Sequence, residues 1–204
     1  MESIKKIRIA TCGDKMETQI SSELKGQFLM AMPGLADPNF SKTVTCICEH
    51  TVAGAVGIVI NRTHPDLSLK TILDELHIEH TLPAAKSPVY IGGPVHMDEL
   101  FILHGEPFDW KGCLKITPAL AMSNTRDVLE AIANQQGPQA YLVSLGCAGW
   151  GPGQLEGEVK ANAWLTGTVS ESIVFDVPIE ERWETAVRKI GIEPSILTQT
   201  AGHA

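Results

Sequence analysis

The segment TVTCICEHTVAGAVGIVI, residues 43–60, decides the fold of this chain. Residues 43–48 are rich in β-branched side chains, which favour a strand, and residues 54–60 form a second run that is apolar on both faces. A run of that kind is typical of a strand inside a sheet that is covered on both sides. The short connection from His50 to Ala53 predicts that the two strands form an antiparallel hairpin.

Helices are predicted on the C-terminal side of this hairpin. Leu69, Ile72, Leu73 and Leu76 recur at the spacing of an amphipathic helix, and Ser68 stands at the position of its cap. The same spacing predicts helices at residues 128–132 and 183–190, and Pro and Gln in the GPGQ stretch predict a helix that runs from about 151 toward 162.

Further strands are predicted at residues 89–91, 100–103, 141–145 and 172–175, with an extended stretch at 113–122. Strands and helices alternate irregularly, and no βαβ unit repeats. The chain is therefore predicted to be α+β, a single domain with a mixed, largely antiparallel β-sheet and about four flanking helices. Residues 27–191 are predicted to form this domain, with an N-terminal extension at 1–26 and a loose C-terminal tail at 192–204.

Composition narrows the classes of function. A formal net charge of -8 opposes binding to nucleic acid, which depends on phosphate neutralisation by Lys and Arg. No apolar run approaches the roughly 20 residues of a membrane span, and five cysteines at scattered spacing do not form a secreted disulfide scaffold. We therefore expect a cytoplasmic protein without a cofactor, direct nucleic-acid binding or a membrane contact, and with a small molecule or a protein as its partner.

Six ordered motifs along residues 27–191 carry a resemblance to a known family. They are FLMAMP at 28–33, DPxFxxTV at 37–44, EHxxxGAxG at 49–57, NR at 61–62, GGPV at 92–95 and AGWGPGQLE at 148–156. In order and spacing they resemble the signature of the YqgE/AlgH family. The resemblance implies a compact cytoplasmic α+β domain without a settled biochemical activity. Thr63 and Cys147 depart from the pattern, since a proline and an aromatic residue are usual there.

The candidate ligand-binding site combines the hairpin with two glycine-rich loops. Glu49 and His50 lie at one end of the hairpin segment and Asn61 and Arg62 at the other, and the hairpin is expected to bring these ends together, with Arg62 as the charged anchor. The two loops are expected to lie beside them on one side of the sheet. The predicted loop residues are Gly92, Gly93, Pro94, Gly149, Trp150, Gly151, Gly153, Gln154 and Glu156. No catalytic or metal-binding residue is assigned.

Each feature also has a structural interpretation. The glycine-rich segment at 146–153 would bind an anion or would simply form a tight turn. Cys147 is a weak candidate nucleophile or a small buried residue, and Glu49 and Arg62 would bind a ligand or pair with each other. Cys46, Cys48 and His50 alternate along a strand, so they would share one face and bind a metal or pack in the core.

Three classes of function remain open at this stage. The leading hypothesis is a regulatory or ligand-binding protein that acts through a small molecule or a protein partner. The second is an enzyme of unknown reaction that uses Glu49, His50 and Arg62 beside the two glycine-rich loops. The third, a regulator that binds DNA directly, is disfavoured by the acidic charge.

Overall fold

A computed structural model describes residues 24–197 of the chain. Most of the predicted extension, residues 1–23, and the end of the predicted tail, residues 198–204, lie outside this description. The strands are β1 Gln27–Ala31, β2 Val44–Thr51, β3 Gly54–Val59, β4 Thr63–Ser68, β5 Pro88–Ile91, β6 Val95–His104, β7 Leu114–Thr117, β8 Leu120–Ser123, β9 Tyr141–Trp150 and β10 Trp164–Thr168. The helices are α1 Leu69–Glu75, α2 Leu82–Ala85, α3 Arg126–Ala133, α4 Gln154–Lys160, α5 Glu171–Phe175 and α6 Arg182–Lys189, with 3₁₀ turns at Ile179–Glu181 and Pro194–Ile196.

The strands form one mixed sheet in which antiparallel pairs dominate. Its order is β10-β1-β2-β3-β9-β6-β8-β7, and β5 joins β9 in a parallel pair while also pairing with β4. The predicted hairpin is present, because β2 and β3 pair in antiparallel register. The predicted α+β class with a mixed, largely antiparallel sheet is therefore confirmed.

The sheet curves, so that β7 at one end approaches β1 and β2 near the other. A Cβ atom added to Gly26, just before β1, would lie 3.3 Å from Thr117 Cγ2 at the end of β7. The concave face holds the largest core, which includes Phe28, Cys46 and Ile58 and is covered by Val174 and Trp183 of α5 and α6. We call this the inner face of the sheet.

The convex, outer face carries two smaller cores. One lies under α1 and α3, where Leu69, Ile72 and Leu129 are buried as the amphipathic spacing predicted. The other lies under α4, where Leu155 packs with Ile47 and Trp150. The buried hairpin strand β3 thus has apolar contacts on both faces, in agreement with its sequence.

Several element assignments were wrong. Residues 172–175 form helix α5 rather than a strand, because packing of Ile173 and Val174 in the inner core overrides their β-branched preference. Strands β1, β4 and β10 were not predicted, and β9 continues through Gly149 to Trp150, where a loop was expected. The short helices α2 and α5 raise the number of described α-helices to six.

Arg182 attaches α6 to the sheet from inside the core. This arginine is buried, and its Nε donates to the Val177 carbonyl at 3.0 Å while its Nη1 donates to the Ile60 carbonyl at the end of β3. The guanidinium also lies 5.4 Å from the centre of the Tyr90 ring. Because burial of a charge costs free energy unless hydrogen bonds satisfy it, these contacts fix the position of α6.

His104 is a fully buried imidazole with two hydrogen-bond partners. Its Nδ1 lies 2.7 Å from the Gly105 carbonyl, which only accepts, so Nδ1 carries the proton. Nε2 then accepts from the Ser123 hydroxyl at 2.9 Å. Burial lowers the pKa of His104 from its ordinary value, although the Gly105 carbonyl acts in the opposite direction.

We expect His104 to make the fold less stable as the pH falls. Its pKa is lower in the folded state, so the unfolded chain binds more protons below the ordinary value of about 6.5. The free energy of unfolding should therefore decrease between about pH 7.5 and 5.5. Urea unfolding at both pH values should show a smaller decrease in His104→Gln than in wild type. Burial also lowers the pKa of His64, so His64→Gln should show a smaller decrease as well. If the decrease in His104→Gln equals that of the wild type, the expectation for His104 is contradicted.

Candidate functional site

A β-bulge at Cys48 separates the residues that were expected to share one face of β2. Cys46 lies opposite Ile58, and both belong to the inner core, whereas His50 lies opposite Ala55 of the outer core under α4. The register shift between Ile47 and Glu49 reverses the alternation, because a bulge places one extra residue in the strand. The expectation that Cys46, Cys48 and His50 share one face is therefore wrong, and of the two interpretations their surroundings fit packing in the core better than a common metal. No group of three or more potential metal ligands occurs within residues 24–197.

His50 links the start of the described chain to α4. Its side chain is only 2% exposed, its Nδ1 accepts the Leu24 N–H at 3.3 Å, and its Nε2 lies 3.1 Å from Glu156 Oε1. Because Nδ1 is an acceptor, Nε2 carries the proton and donates to the carboxylate. Glu156 retains partial contact with solvent, with 39% of its side chain exposed. The buried His50 side chain and the partly exposed Glu156 carboxylate therefore meet on the outer face.

Asn61 and Arg62 hold the loop that precedes β2. The Asn61 amide accepts from the Val44 N–H and donates to the Lys42 carbonyl, both at 2.8 Å. The Arg62 guanidinium donates to three carbonyls of this loop, those of Pro38, Asn39 and Ser41, at 3.0, 2.8 and 2.7 Å. These bonds show that both side chains stabilise the loop conformation.

The hairpin does not bring its predicted site residues together. Glu49 pairs with Val56 and His50 with Ala55 near the turn, whereas Arg62 follows the far end of β3. At about 3.3 Å per residue, the strand from Ala55 to Ile60 separates them by roughly 17 Å. The expected meeting of the two ends is therefore wrong, and no ion pair joins Glu49 to Arg62, two residues that the structure describes.

Gly92 and Gly93 pack against residues 145–147 of β9, which precede the predicted loop residues 149–154. Gly92 donates its N–H to the Leu145 carbonyl and accepts from the Val59 N–H, both at 2.9 Å. A Cβ atom on Gly92 would lie 2.1 Å from the Gly146 carbonyl oxygen, and one on Gly93 would lie 2.4 Å from Cys147 O. The glycines thus allow two backbones to pack directly against each other. Pro94, the next residue, is exposed at the surface.

Trp150 and the start of α4 form a compact acid and aromatic cluster on the outer face. Glu158 Oε2 accepts from Trp150 Nε1 at 2.9 Å and from Trp164 Nε1 at 2.8 Å, and its Oε1 accepts from Gln154 Nε2 at 2.8 Å. The ring of Phe40 lies 5.4 Å from Trp164 and 6.0 Å from Trp150. The cluster is closed, because the rings contact one another and the carboxylate has three donors.

The loop before α4 does not present an open anion site. Gln154 reaches back as predicted, and its Oε1 accepts the Gly151 N–H at 3.0 Å. Gly153 caps the helix with a left-handed φ of 71°, and Glu156 carries a negative charge in the first turn. Of the two sequence interpretations, this geometry fits the structural turn better than the phosphate cradle.

Within residues 24–197, a partly exposed strip crosses the inner face beyond α5 and α6. Glu49 lies opposite Val56, Val56 lies opposite Gly149, and a Cβ atom on Gly149 would lie 3.5 Å from Val95 Cγ2. We call these four residues the strand-end strip. Val95 is 38% exposed and the neighbouring Met97 is 67% exposed, while Glu49 and Val56 are half-buried. The strip therefore presents apolar side chains and an open glycine backbone to solvent beside a carboxylate.

Comparison with known proteins places the chain in a family. A family model described as AlgH-like, DUF179, matches residues 28–195. The chain belongs to the AlgH-like family. A UPF0301 protein of Desulforapulum autotrophicum is 49% identical over 189 residues, which cover 93% of this chain and 100% of that protein. Another, from Thioalkalivibrio sulfidiphilus, is 47% identical over 184 residues and covers 90% and 98%.

Two solved structures share the fold of this AlgH-like chain. The solution structure of the AlgH protein from Pseudomonas aeruginosa matches with a TM-score of 0.74 and 44% identity, over 93% of this chain and 100% of that one. The crystal structure of protein DIP2367 from Corynebacterium diphtheriae matches with a TM-score of 0.68 and 22% identity, over 89% and 92%. The resemblance to the YqgE/AlgH family is therefore confirmed.

Cys147 of the AlgH-like chain is poorly placed for nucleophilic chemistry. Burial, and to a smaller extent the charge of Glu99, raise the pKa of the Cys147 thiol to about 11. The thiol therefore stays protonated near neutral pH, whereas a nucleophile must be a thiolate. Cys147 lies opposite Val95 and is buried in the inner core, so a packing role fits its surroundings.

Glu158, Val56, Val95 and Met97 were not among the predicted site residues. Glu158 had a sequence signal, because Gln154 precedes it by four residues and Trp150 by eight, which places the three within reach at a helix start. Val56 and Val95 gave no such signal, since an apolar residue in a strand usually belongs to the core. Their exposure became apparent only from the coverage of the inner face by α5 and α6.

Proposed function

We propose that this AlgH-like chain is a binding protein that receives a protein partner on the strand-end strip and regulates that partner through the contact. The observation that carries the proposal is the exposed side chain of Val95 beside the open backbone of Gly149, with the exposed side chain of Met97 two residues further along β6. Exposed apolar groups gathered on one surface are typical of interaction sites. The strip is an open sheet surface, whereas a small-molecule site usually encloses most of its ligand.

The enzyme hypothesis loses the geometry on which it depended. Glu49 lies on the inner face and His50 on the outer face, and Arg62 lies at the far end of β3. A general base must be within hydrogen-bond reach of the group it serves, so these three side chains do not form one catalytic site. Binding therefore accounts for the arrangement better than catalysis does.

The charge of the chain favours a protein partner over a nucleic acid. The 24 acidic side chains outnumber the 16 lysines and arginines and give a net charge of -8, which opposes binding to phosphates, so we propose that any effect on transcription is indirect. We also propose a cytoplasmic location. No helix within residues 24–197 has the length and apolar character needed to cross a membrane.

Site-specific photocrosslinking in cells tests this function. A photoreactive residue at Met97 should capture a protein that the same residue at Lys86, exposed on the outer side at the end of α2, does not capture. The captured protein is then purified and its affinity is measured by calorimetry. Met97→Asp should weaken binding at least about tenfold, and Lys86→Asp should change it less than about twofold, because only the first places a charge in the contact. Equal capture at both positions, or tight binding by Met97→Asp, would contradict the proposal.

A further inference from the structure

We infer that the partner presents a basic residue within an apolar segment, and that Glu49 binds the lysine or arginine while Gly149 makes room for its aliphatic stem. This inference rests on the proposed function and specifies the chemistry of the partner. It assigns Glu49 the role of the residue that determines specificity.

The Glu49 carboxylate is available for a cation. It is half-buried beside Val56, and within residues 24–197 no hydrogen bond or ion pair to its side chain is present. A partly desolvated carboxylate gains free energy when a lysine or arginine donates to it, because charge-assisted hydrogen bonds are the stronger ones. The unused acceptor capacity of the Glu49 carboxylate therefore favours a basic group in the partner.

The opposite side of the strip is acidic as well. Glu99 is close enough to Cys147 to raise the pKa of its thiol, and Cys147 is the residue opposite Val95. The Glu99 carboxylate lies 3.3 Å from His96 Nδ1, and 28% of its side chain is exposed. An acidic partner segment would thus meet two carboxylates in addition to the overall negative charge, whereas a basic one would be attracted.

Gly149 leaves a gap between two valines that can receive the aliphatic stem of a lysine or arginine. It lies between Val56 and Val95, is exposed, and has no side chain that would fill the space above the strand. The stem of a lysine or arginine is aliphatic and packs on apolar surface while its charged end reaches a polar partner. A stem that crosses Gly149 would contact both valines with its charged end toward Glu49. A larger residue at position 149 would remove this space.

Panning of a random peptide library on the full-length chain tests the inference. Peptides enriched on the wild type should contain a lysine or arginine next to aliphatic residues, and Glu49→Lys should select acidic residues at that position instead. The enriched peptides should bind Glu49→Gln and Gly149→Val at least about tenfold more weakly than wild type, which corresponds to about 1.4 kcal/mol. Glu75→Gln, an exposed glutamate of α1, is the matched control and should leave the affinity unchanged.

The remaining outcomes separate the inference from the proposed function. Peptides that lose affinity in Gly149→Val but bind Glu49→Gln as well as wild type would overturn the role of Glu49 and leave the strand-end strip as the binding surface. If no enriched peptide depends on either position, both the inference and the proposed function fail. Circular dichroism and thermal unfolding of each variant establish that a lost affinity is not a lost fold.

Discussion

Gly92→Ala is expected to lower the free energy of unfolding by about 4 kcal/mol or to prevent folding, because the new methyl group has no space. A Cβ atom at this position would lie 2.1 Å from the Gly146 carbonyl oxygen and 2.9 Å from Ser144 Oγ. The clash is with backbone, which cannot rotate away as a flexible side chain does. The backbone at Gly92 would have to move away from the backbone at Gly146. This movement would strain the hydrogen bonds that the Gly92 backbone makes with Leu145 and Val59.

Gly157→Ala is the matched control for this substitution. Gly157 lies inside α4, and a Cβ atom there meets nothing within 4 Å, so alanine should raise stability by up to about 1 kcal/mol through its higher helix propensity. Urea unfolding measures both variants. If the free energy of unfolding of Gly92→Ala lies within about 0.5 kcal/mol of the wild-type value, the close packing described between Gly92 and Gly146 is incorrect.

Arg182→Met is the second substitution for which we expect a large effect, a loss of about 3 kcal/mol. Methionine keeps an apolar stem in the core but leaves the buried carbonyl of Ile60 and the half-buried carbonyl of Val177 without their donors, at about 1–3 kcal/mol for a buried unsatisfied group. The contact of the guanidinium with the Tyr90 ring is lost as well. Relief of charge burial offsets part of this cost.

Arg188→Met provides the comparison on the same helix. Arg188 is exposed and pairs with Glu184 at 2.9 Å, an arrangement that contributes only a few tenths of a kcal/mol. The free energies of unfolding of the two variants, measured by chemical denaturation, should therefore differ by more than about 2 kcal/mol. Similar stabilities for Arg182→Met and Arg188→Met would show that the buried guanidinium does not hold α6 on the sheet.

Elements with a strong local pattern were predictable from the sequence, and elements that depend on neighbours were not. The β2–β3 hairpin and helix α1 follow from apolar patterns that agree with their burial. Strand β4 contains Pro65 and Asp66, which are poor strand residues, and it forms because β5 lies beside it. Residues 172–175 look like a strand by composition, but the inner core requires a helix there.

The candidate site was predictable in its composition and not in its geometry. Gly92 and Gly93 meet β9 at Gly146 and Cys147 rather than at the predicted residues 149–154, and the bulge at Cys48 moves His50 to the face opposite Cys46. A single extra residue exchanges the two faces of a strand, and residue types alone do not reveal its position. Arg182 was missed for a related reason, since its carbonyl partner Ile60 lies 122 residues away along the chain.

Amide hydrogen exchange of the full chain, with and without the protein captured at Met97, tests the central claim most directly. We expect slower exchange on binding at residues 54–57, 95–99 and 147–150, which form and surround the strand-end strip, and unchanged exchange in α1 and α3 on the outer face. Protection centred on α1 and α3, or no protection in the three segments, would contradict the assignment of the strand-end strip as the binding surface.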